Sequence, residues 1–420
     1  MSAGKATISG QGHTVSDPSA KSDSPLQGVR VLDFTFLLPG PFCTQILADL
    51  GAEVIKVEPP WGDPSREMVS EIFWAANRNK RSIVVDLKKP GGAEICQRLA
   101  QACDVAVEGF RPGVAARLGV GPEQLRAINP RLIYASISGF GQTGPMRDRP
   151  GHDINYLASG GALSYSGHWS EPPRRSGIPV ADLAGAALCA IAILAALRRR
   201  DRTGIGCHID LALRDAAMFF ASVRGGRGLR LRNDQRAHLW PTNELFETAD
   251  GRILALGVVE QKFWERLAQV LVHLEPRVAE PRFATESGRR IHGDELYRVL
   301  SELFRTLPAA EWLNLLGSSD VPVTEVLTLE EAAYSEQSRV RNLLSYKEGE
   351  IYVKFPALFD GAPVEVRKSP PPLGKDTAAV LGELGYSEAE ISELERRGVV
   401  SVGNQIGVAG HEPKLAGGKE

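Results

Sequence analysis

The stretch "VRVLDFTFLLPGPFCTQILADLGAEVIKVE", residues 29–58, carries the pattern that decides the fold. Its opening, "VRVLDF", is a short run of apolar and β-branched residues, which predicts a buried strand. The following "PFCTQILADL" places Phe42, Ile46, Leu47 and Leu50 on one face of a helix, and "EVIKVE" predicts the next strand. The stretch therefore predicts a strand, a helix and a second strand in close succession.

The same alternation continues toward the middle of the chain. A strand "RSIVVDL", a helix over 90–102, a strand "DVAVEGF", a helix near 122–128 and a strand "RLIYASISG" follow in turn. This order is typical of an α/β protein with a parallel sheet covered by helices on both faces. Ligands of such sheets bind at the carboxyl ends of the strands, which here are the Gly- and Pro-rich loops "TFLLPGP", "EPPWGDPSR", "EGFRPG" and "SGFGQTGP". The same residues are equally suited to plain turns.

A second, smaller α+β domain is predicted to begin near Asn243. A chain of 420 residues exceeds the usual size of one hydrophobic core. "ELFETADGRILALGV" has the alternation of a hairpin around an Asp250-Gly251 turn, and an amphipathic helix starts at Glu260. We expect a large domain over 25–225, an Arg- and Gly-rich linker over 226–242 and a small domain over 243–333. Residues 1–24 and 401–420 lack large apolar groups and are predicted to be disordered tails.

Composition argues against several classes of partner. With 49 basic and 51 acidic side chains the net charge is −2, so no broad field is expected to hold a nucleic acid or an anionic membrane. The longest apolar run, Leu183–Leu197, has 15 residues between charged neighbours, which predicts a buried helix rather than a membrane span.

Cysteine use and the first residues bear on location. The five cysteines are odd in number and show neither CxxC pairs nor metal-ligand spacing, which favours a reducing compartment and no metal site. The first 24 residues contain no apolar core of a secretory signal. We therefore expect a cytoplasmic protein.

Three polar residues stand out, and each has an ordinary structural interpretation. Asp182 opens an apolar helix, where an N-cap aspartate commonly contributes about 1 kcal/mol. His152, between Gly151 and Asp153, could be a hydrogen-bonded loop residue. Glu260 would favour the dipole of the helix that it begins. The residue types alone do not decide between these interpretations and catalysis.

Seven segments taken together resemble the family III CoA-transferases, or CaiB/BaiF superfamily, the group that also contains α-methylacyl-CoA racemase. In chain order they are "LLPGPFCTQILADLGAEVIKVE", "NRNKRSIVVDLK", "EGFRPGVAARLGVG", "SGFGQTGP", "GHDINYLASGG", "VADLAGAALCAIAILAALRRRDRTGIG" and "SDVPVTEVLTLEEA". The resemblance spans residues 26–333 and extends weakly to 399. Order and spacing make it far more specific than any one segment.

The resemblance implies a Rossmann-like large domain completed by a return segment over 334–400. It also implies an interlocked homodimer, with each active site between the large domain of one subunit and the small domain of the other. Coenzyme A would enter as part of the substrate, with no tightly bound cofactor. The implied contacts are Leu38, Arg81, Leu87, Lys88, Gly109, Phe110, Arg111 and Arg117.

The resemblance also gives the polar residues chemical roles. Asp182 matches the family's reacting carboxylate, while His152 and Glu260 match racemase positions. This set favours 1,1-proton transfer on a 2-methylacyl-CoA, with His152 opposite Asp182 and backbone N–H groups near the Asp182 helix start or the Gly160-Gly161 turn facing the enolate oxygen.

Two other interpretations remain. In a CoA-transferase Asp182 would be a nucleophile, and "WGDPSRE" and "FWAANRNKRS" resemble transferase sequences at least as well. A CoA-binding subunit without activity would leave three acid/base residues in register with a racemase for no chemical reason.

Overall fold

The computed structural model describes residues 24–165, 167, 176–225 and 239–403. Most of the two predicted tails, residues 1–23 and 404–420, and most of the predicted linker, residues 226–238, lie outside the described residues.

Strands and helices alternate through the first half of the chain. The strands are β1 (Arg30–Phe34), β2 (Glu53–Glu58), β3 (Lys80–Val85), β4 (Val105–Glu108), β5 (Ile133–Ser138) and β6 (His208–Ala212). The helices are α1 (Pro39–Asp49), α2 (Ser65–Met68), α3 (Ser70–Ala76), α4 (Gly92–Gln101), α5 (Val114–Arg117), α6 (Pro122–Ile128), α7 (Asp153–Ser159), α8 (Val180–Thr203) and α9 (Leu213–Ala221).

These six strands form a parallel sheet in the order β3-β2-β1-β4-β5-β6. Leu32 of β1 lies opposite Ile55 of β2 on one side and Ala106 of β4 on the other. The chain therefore changes its direction of winding at β1. The carboxyl ends of β1 and β4 open the crevice in which sheets of this kind bind ligands.

Each face of the sheet carries its own core. On one face α1 and α8 pack together, with Cys43, Leu47, Cys189 and Ile193 buried. The long helix α8 has the length and hydropathy of a membrane span, yet half of its apolar window is buried inside the fold. Small residues along α8 let α1 and α9 approach closely, and the helix serves as a core element of the large domain.

The second unit is an antiparallel sheet covered by helices. Its strands, in the order β7-β8-β9, are β7 (Asn243–Glu247), β8 (Ile253–Gly257) and β9 (Val323–Glu325). Its helices are α10 (Gln261–Leu271), α11 (Glu286–Ile291), α12 (Gly293–Phe304) and α13 (Ala309–Gly317). The predicted Asp250-Gly251 turn joins β7 and β8, and the φ of Gly251 is 75°, a value that glycine adopts without strain.

The last part of the chain returns to the main sheet. It contains α14 (Leu329–Tyr334), α15 (Glu336–Val340), β10 (Leu344–Lys347), β11 (Glu350–Val353), β12 (Leu358–Phe359), β13 (Ala362–Pro363), α16 (Thr377–Glu383), α17 (Glu388–Arg396) and β14 (Val400–Ser401). Strand β14 pairs antiparallel with β3, placing Val400 opposite Val85. The predicted fold class, a mostly parallel α/β sheet with a smaller α+β domain, is confirmed.

The small domain should depend strongly on Trp312. This side chain is fully buried, its indole N–H donates to the Phe304 carbonyl at 2.8 Å, and its ring packs on that of Phe304. Trp312→Ala is expected to lower the free energy of unfolding by about 3–5 kcal/mol, measured by urea titration, because it leaves a cavity. Leu329→Ala, at an 80% exposed position, is the control and should cost less than about 0.5 kcal/mol. A similar cost for both variants would contradict this assignment of the core.

Candidate active site

A fully buried ionic cluster lies beneath the carboxyl end of β1. The Asp33 carboxylate accepts hydrogen bonds from the Thr35 N–H at 2.9 Å, the Thr44 hydroxyl at 2.6 Å and Lys80 Nζ at 3.1 Å. Burial alone would raise the pKa of Asp33, but Lys80, Lys56 and the two threonines hold it below its ordinary value. Asp33 is therefore an anion that fixes the loop after β1 and the start of α1.

An apolar cavity of about 270 Å³ lies at the carboxyl ends of β1, β2 and β3, with Phe110 and Val114 from the segment after β4 in its wall. Its walls include Phe36, Phe110, Leu87 and Trp61, and the ring of Phe36 meets that of Phe110 edge to face at 5.9 Å. Lys88 stands at its wall with Nζ 5.7 Å from the centre of the Trp61 ring. The lining of this apolar slot suits an aromatic group, and Lys88 beside it suits an anion.

The structure brings most of the predicted coenzyme contacts to this edge of the sheet. Leu87, Lys88 and Phe110 line the cavity itself. Gly109 and Arg111 flank Phe110 in the loop after β4, and Arg117 is the last residue of α5. Leu38 directly precedes α1. Arg111 and Arg117 are both exposed.

Arg81 is not part of this group. It lies near the start of β3, so the length of that strand separates it from the cavity. Its guanidinium donates to Glu53 at 2.7 Å and to Glu383 at 2.8 Å. Burial would lower the pKa of Arg81, but these two carboxylates hold it above its ordinary value. The guanidinium joins β2, β3 and α16 at the amino edge of the sheet, and the geometry supports a structural role there.

Glu108, which was not among the predicted site residues, is the last residue of β4 and lies at the crevice. It is buried, and its carboxylate accepts the Phe110 N–H at 2.7 Å. Burial raises the pKa of Glu108 to about 7, against the opposing effect of hydrogen bonds from Ser136 and Phe110. The only signal in the sequence was an acidic residue that ends an otherwise apolar strand.

The helix that carries Asp182 is capped by a different aspartate. Helix α8 begins at Val180, which puts Asp182 in its first turn rather than at the N-cap. The Asp153 carboxylate accepts the N–H groups of Ala181 at 2.7 Å and Asp182 at 3.2 Å. The capping interpretation of Asp182 is therefore wrong, because Asp153 performs that function and leaves the Asp182 side chain available.

The electrostatic setting of Asp182 suits proton transfer. Burial raises the pKa of its carboxyl to about 7, and the negative charge of Asp153 adds to this rise. A carboxyl with a pKa near neutrality can both donate and accept a proton under physiological conditions.

His152 lies beside this pair, at the start of the neighbouring helix. It is the N-cap residue of α7, it is exposed, and its N–H donates to Asn155 Oδ1 at 3.0 Å. Because Asp153 is the next residue, the hydrogen bonds that its carboxylate accepts from the N–H groups of α8 bring the starts of α7 and α8 together. His152 and Asp182 thus stand on adjoining helix ends.

Tyr156 lies in α7, four residues after His152. Its hydroxyl donates to the Gly151 carbonyl at 2.5 Å. Burial and the charge of Asp182 raise the pKa of Tyr156 to about 12, while Arg111 opposes the rise. Tyr156 is therefore within electrostatic reach of both Arg111 and Asp182.

Two sets of predicted groups are not brought to this site. Glu260 is the exposed N-cap residue of α10 in the small domain, and among the described residues no hydrogen bond or ion pair joins it to Asp182 or His152. The N–H groups of Gly160 and Gly161 are paired with the carbonyls of Tyr156 and Ala158. Those two N–H groups, like the ones that Asp153 binds, are therefore already engaged and do not face an enolate.

A larger cavity, of about 720 Å³, lies between α1, α3 and the β10–β11 hairpin. Its walls include Phe42, Ile46, Trp74 and Tyr352, and none of the predicted site residues lines it. Within the described ranges no cluster of three or more His, Cys, Asp or Glu side chains could hold a metal ion.

The mixed α/β fold is shared with solved structures of one family. A CaiB/BaiF family protein from Brucella suis superposes with a TM-score of 0.78 at 30% identity, covering 86% of this chain and 99% of its own. The model of CoA-transferase family III matches residues 26–377. The chain belongs to CoA-transferase family III, and the resemblance inferred from its sequence segments is confirmed.

Relatives with two different activities match equally well. α-Methylacyl-CoA racemase of Homo sapiens is 36% identical over 385 residues, which cover 88% of this chain and 96% of the racemase. Succinyl-CoA:glutarate CoA-transferase of Mus musculus is 35% identical over 421 residues, with coverages of 94% and 95%. Family membership thus supports an enzyme of acyl-CoA chemistry, and similarity alone does not distinguish isomerase from transferase.

The raised pKa of Asp182 predicts a pH-dependent effect on stability. Between about pH 4 and pH 7 the native state keeps a proton on Asp182 that the unfolded chain has released, so the free energy of unfolding falls as pH rises. Asp182→Asn should match the wild type near pH 4 and exceed it at pH 8 by about 1–2 kcal/mol, after allowance for partial solvent access.

Urea unfolding at a series of pH values measures this difference. Asp148→Asn, at a side chain that is 78% exposed, is the control and should show little difference from the wild type at either pH. A difference between Asp182→Asn and the wild type that stays constant from pH 4 to pH 8 would contradict the assignment.

Proposed function

We propose that this protein is a racemase or epimerase of 2-methylacyl-CoA thioesters that works by 1,1-proton transfer. The observation that carries the proposal is the Asp182 carboxyl, with a pKa of about 7, beside His152 at an adjoining helix start. Inversion at an acidic carbon requires a proton acceptor on one face of that carbon and a proton donor on the other. Asp153 caps α8, so the Asp182 side chain is not needed for that role.

In this mechanism one base removes the α-proton and the other returns a proton to the opposite face. The electron pair left by the α-proton delocalises onto the thioester oxygen, giving an enolate, and the roles of His152 and Asp182 exchange for the reverse direction. The N–H groups of Ala181 and Asp182 are already bound to Asp153. The positive end of the α8 dipole would therefore stabilise the enolate. Arg111 adds positive charge near Tyr156.

The coenzyme part of the substrate is proposed to lie along the carboxyl edge of the sheet. The apolar slot lined by Phe36, Phe110 and Trp61 would take the adenine ring, and Lys88, Arg111 and Arg117 would meet phosphate groups. Coenzyme A would arrive as part of the substrate, with no separate tightly bound cofactor.

Phe110→Ala should therefore weaken the binding of free coenzyme A about tenfold in calorimetry, because the slot loses one aromatic wall. Phe359→Ala, at a 45% exposed ring of β12, is the matched control and should leave the dissociation constant unchanged. Equal affinities for the wild type and Phe110→Ala would place the adenine elsewhere.

The proposed enzyme is an interlocked homodimer in the cytoplasm. Glu260, which does not meet Asp182 or His152 within the described part of its own chain, would then serve the site of the other subunit. Gel filtration with light scattering tests the dimer, since a monomer that is fully active would exclude this role for Glu260. All five cysteines are free thiols, which supports a reducing location.

Isotope exchange tests the proposed reaction. The purified protein is incubated in D2O with one enantiomer of a 2-methylacyl-CoA and no acceptor acid, and mass spectrometry and chiral analysis follow the α-carbon. We expect one deuterium per inverted molecule, with rates at least about 100-fold lower for His152→Ala and Asp182→Asn. Asp148→Asn is the control for loss of an exposed carboxylate.

A CoA-transferase is the second candidate, favoured by the transferase relatives of similar identity. Absence of α-exchange, together with trapping of an Asp182 adduct once an acceptor carboxylate is supplied, would replace the racemase by this activity. Coenzyme A binding without either reaction would indicate a binding subunit.

A further inference from the structure

The turn between β1 and α1 contains a residue in an unusual backbone conformation. Leu37 has a φ of 63°, in the left-handed region that residues with a side chain rarely adopt. Its side chain is only partly covered, with 36% of the residue exposed. Glycine would adopt this conformation freely, yet the chain has leucine here.

A buried ion pair holds both ends of this turn. The Asp63 carboxylate accepts the Leu37 N–H at 3.1 Å, and Lys56 Nζ donates to the Thr35 carbonyl at 2.7 Å. Lys56 and Asp63 lie 2.9 Å apart, and both side chains are fully buried. The pair therefore attaches the turn to β2, which carries Lys56, and to the loop after β2, which carries Asp63.

The setting of Asp63 favours the ionised form. Burial would raise the pKa of Asp63, but Lys56 and the hydrogen bonds from Ser65 hold it below its ordinary value. The Ser65 N–H and hydroxyl donate to the same oxygen that binds Leu37, at 2.9 and 2.7 Å. A buried ion pair of this kind is often no more stabilising than apolar residues of similar size. The main effect of the Lys56–Asp63 pair is therefore on the conformation of the turn rather than on the stability of the fold.

The turn lies between the two halves of the proposed site. Phe36 lines the apolar slot, and Leu38 is one of the implied coenzyme contacts. The helix that follows, α1, packs along α8, which carries Asp182 in its first turn. A shift of this turn would therefore move a wall of the slot and the helix that packs on α8 together.

We propose that Asp63 is a positioning residue, which holds Leu37 in the left-handed conformation and thereby presents Phe36–Leu38 to the coenzyme part of an acyl-CoA. Its effect is indirect, because the carboxylate reaches the substrate only through the backbone of the turn. The inference rests on the proposed acyl-CoA function and adds to it a residue that determines substrate affinity.

A double-mutant cycle separates this role from plain stabilisation. Asp63→Asn is made in two backgrounds, Leu37→Ala and Leu37→Gly, which both lack the leucine side chain but differ in the ease of the left-handed conformation. The dissociation constant of free coenzyme A and the KM for 2-methyldecanoyl-CoA are measured for all four proteins and for the wild type.

In the alanine background Asp63→Asn should raise both constants about tenfold, with a much smaller change in kcat. In the glycine background the increase should stay below about twofold, because glycine keeps the turn without the carboxylate. Equal increases in the two backgrounds would overturn the proposal.

Two further measurements keep the test decisive. If Asp63→Asn does not fold, the two single variants at position 37 are compared with Asp63 intact. Leu37→Gly should then have a higher melting temperature than Leu37→Ala, because only glycine adopts the left-handed conformation freely. A lower melting temperature for Leu37→Gly, which is the usual result at positions with a negative φ, would overturn the proposal. A wild type that binds coenzyme A without turnover would refute the proposed reaction while the cycle on binding still decides the role of Asp63. A wild type that binds no coenzyme A would overturn both.

Discussion

The site depends on the hydrogen bonds that the Asp153 carboxylate accepts from the first turn of α8. They join the starts of α7 and α8, so that His152 and Asp182 stand on adjoining helix ends. They also place a second negative charge beside Asp182, which together with burial raises its pKa to about 7. One carboxylate therefore supplies both the geometry and the electrostatics of the acid/base pair.

Beneath this pair, the large domain uses buried charges to fix the loops at the carboxyl edge of the sheet. Asp33 with Lys80, and Asp63 with Lys56, tie the turn after β1 to strands β2 and β3. Charges withdrawn from water are costly unless each finds partners. Here the partners are backbone groups of the loops together with the side chains of threonine, serine and asparagine residues. The rigidity of the site is thus a consequence of how these charges are satisfied.

Much of the fold could be predicted because its signals are local. The apolar face of α1 and the Asp250-Gly251 turn follow from side-chain periodicity and turn chemistry. The cap of α8 could not be predicted in this way, because Asp153 reaches it from another helix and the sequence shows only that Asp182 lies near the helix start. Strand β14 was missed because its two residues acquire their partner only through the tertiary fold.

The other site residues also divide into those whose position could be predicted from the sequence and those whose properties arise only in the folded protein. Leu87, Lys88 and Phe110 lie together because the ends of parallel strands meet at one edge. Arg81 lies near the start of a strand and therefore at the opposite edge of the sheet. The predicted strand "RSIVVDL" already implied this position. The raised pKa of Glu108 arises from burial by neighbouring strands, which no local pattern reveals.

The most direct test of the account is the titration of the Asp182 carboxyl itself. Carbon-13 NMR of aspartate-labelled protein, with the signal assigned by its absence in Asp182→Asn, follows this group from pH 3 to pH 10. The account predicts a midpoint of about 7 in the wild type and a lower one in Asp153→Asn, since the neighbouring negative charge is removed. A midpoint near 4, unaffected by the change at Asp153, would contradict Asp182 as the acid/base group of a proton-transfer site.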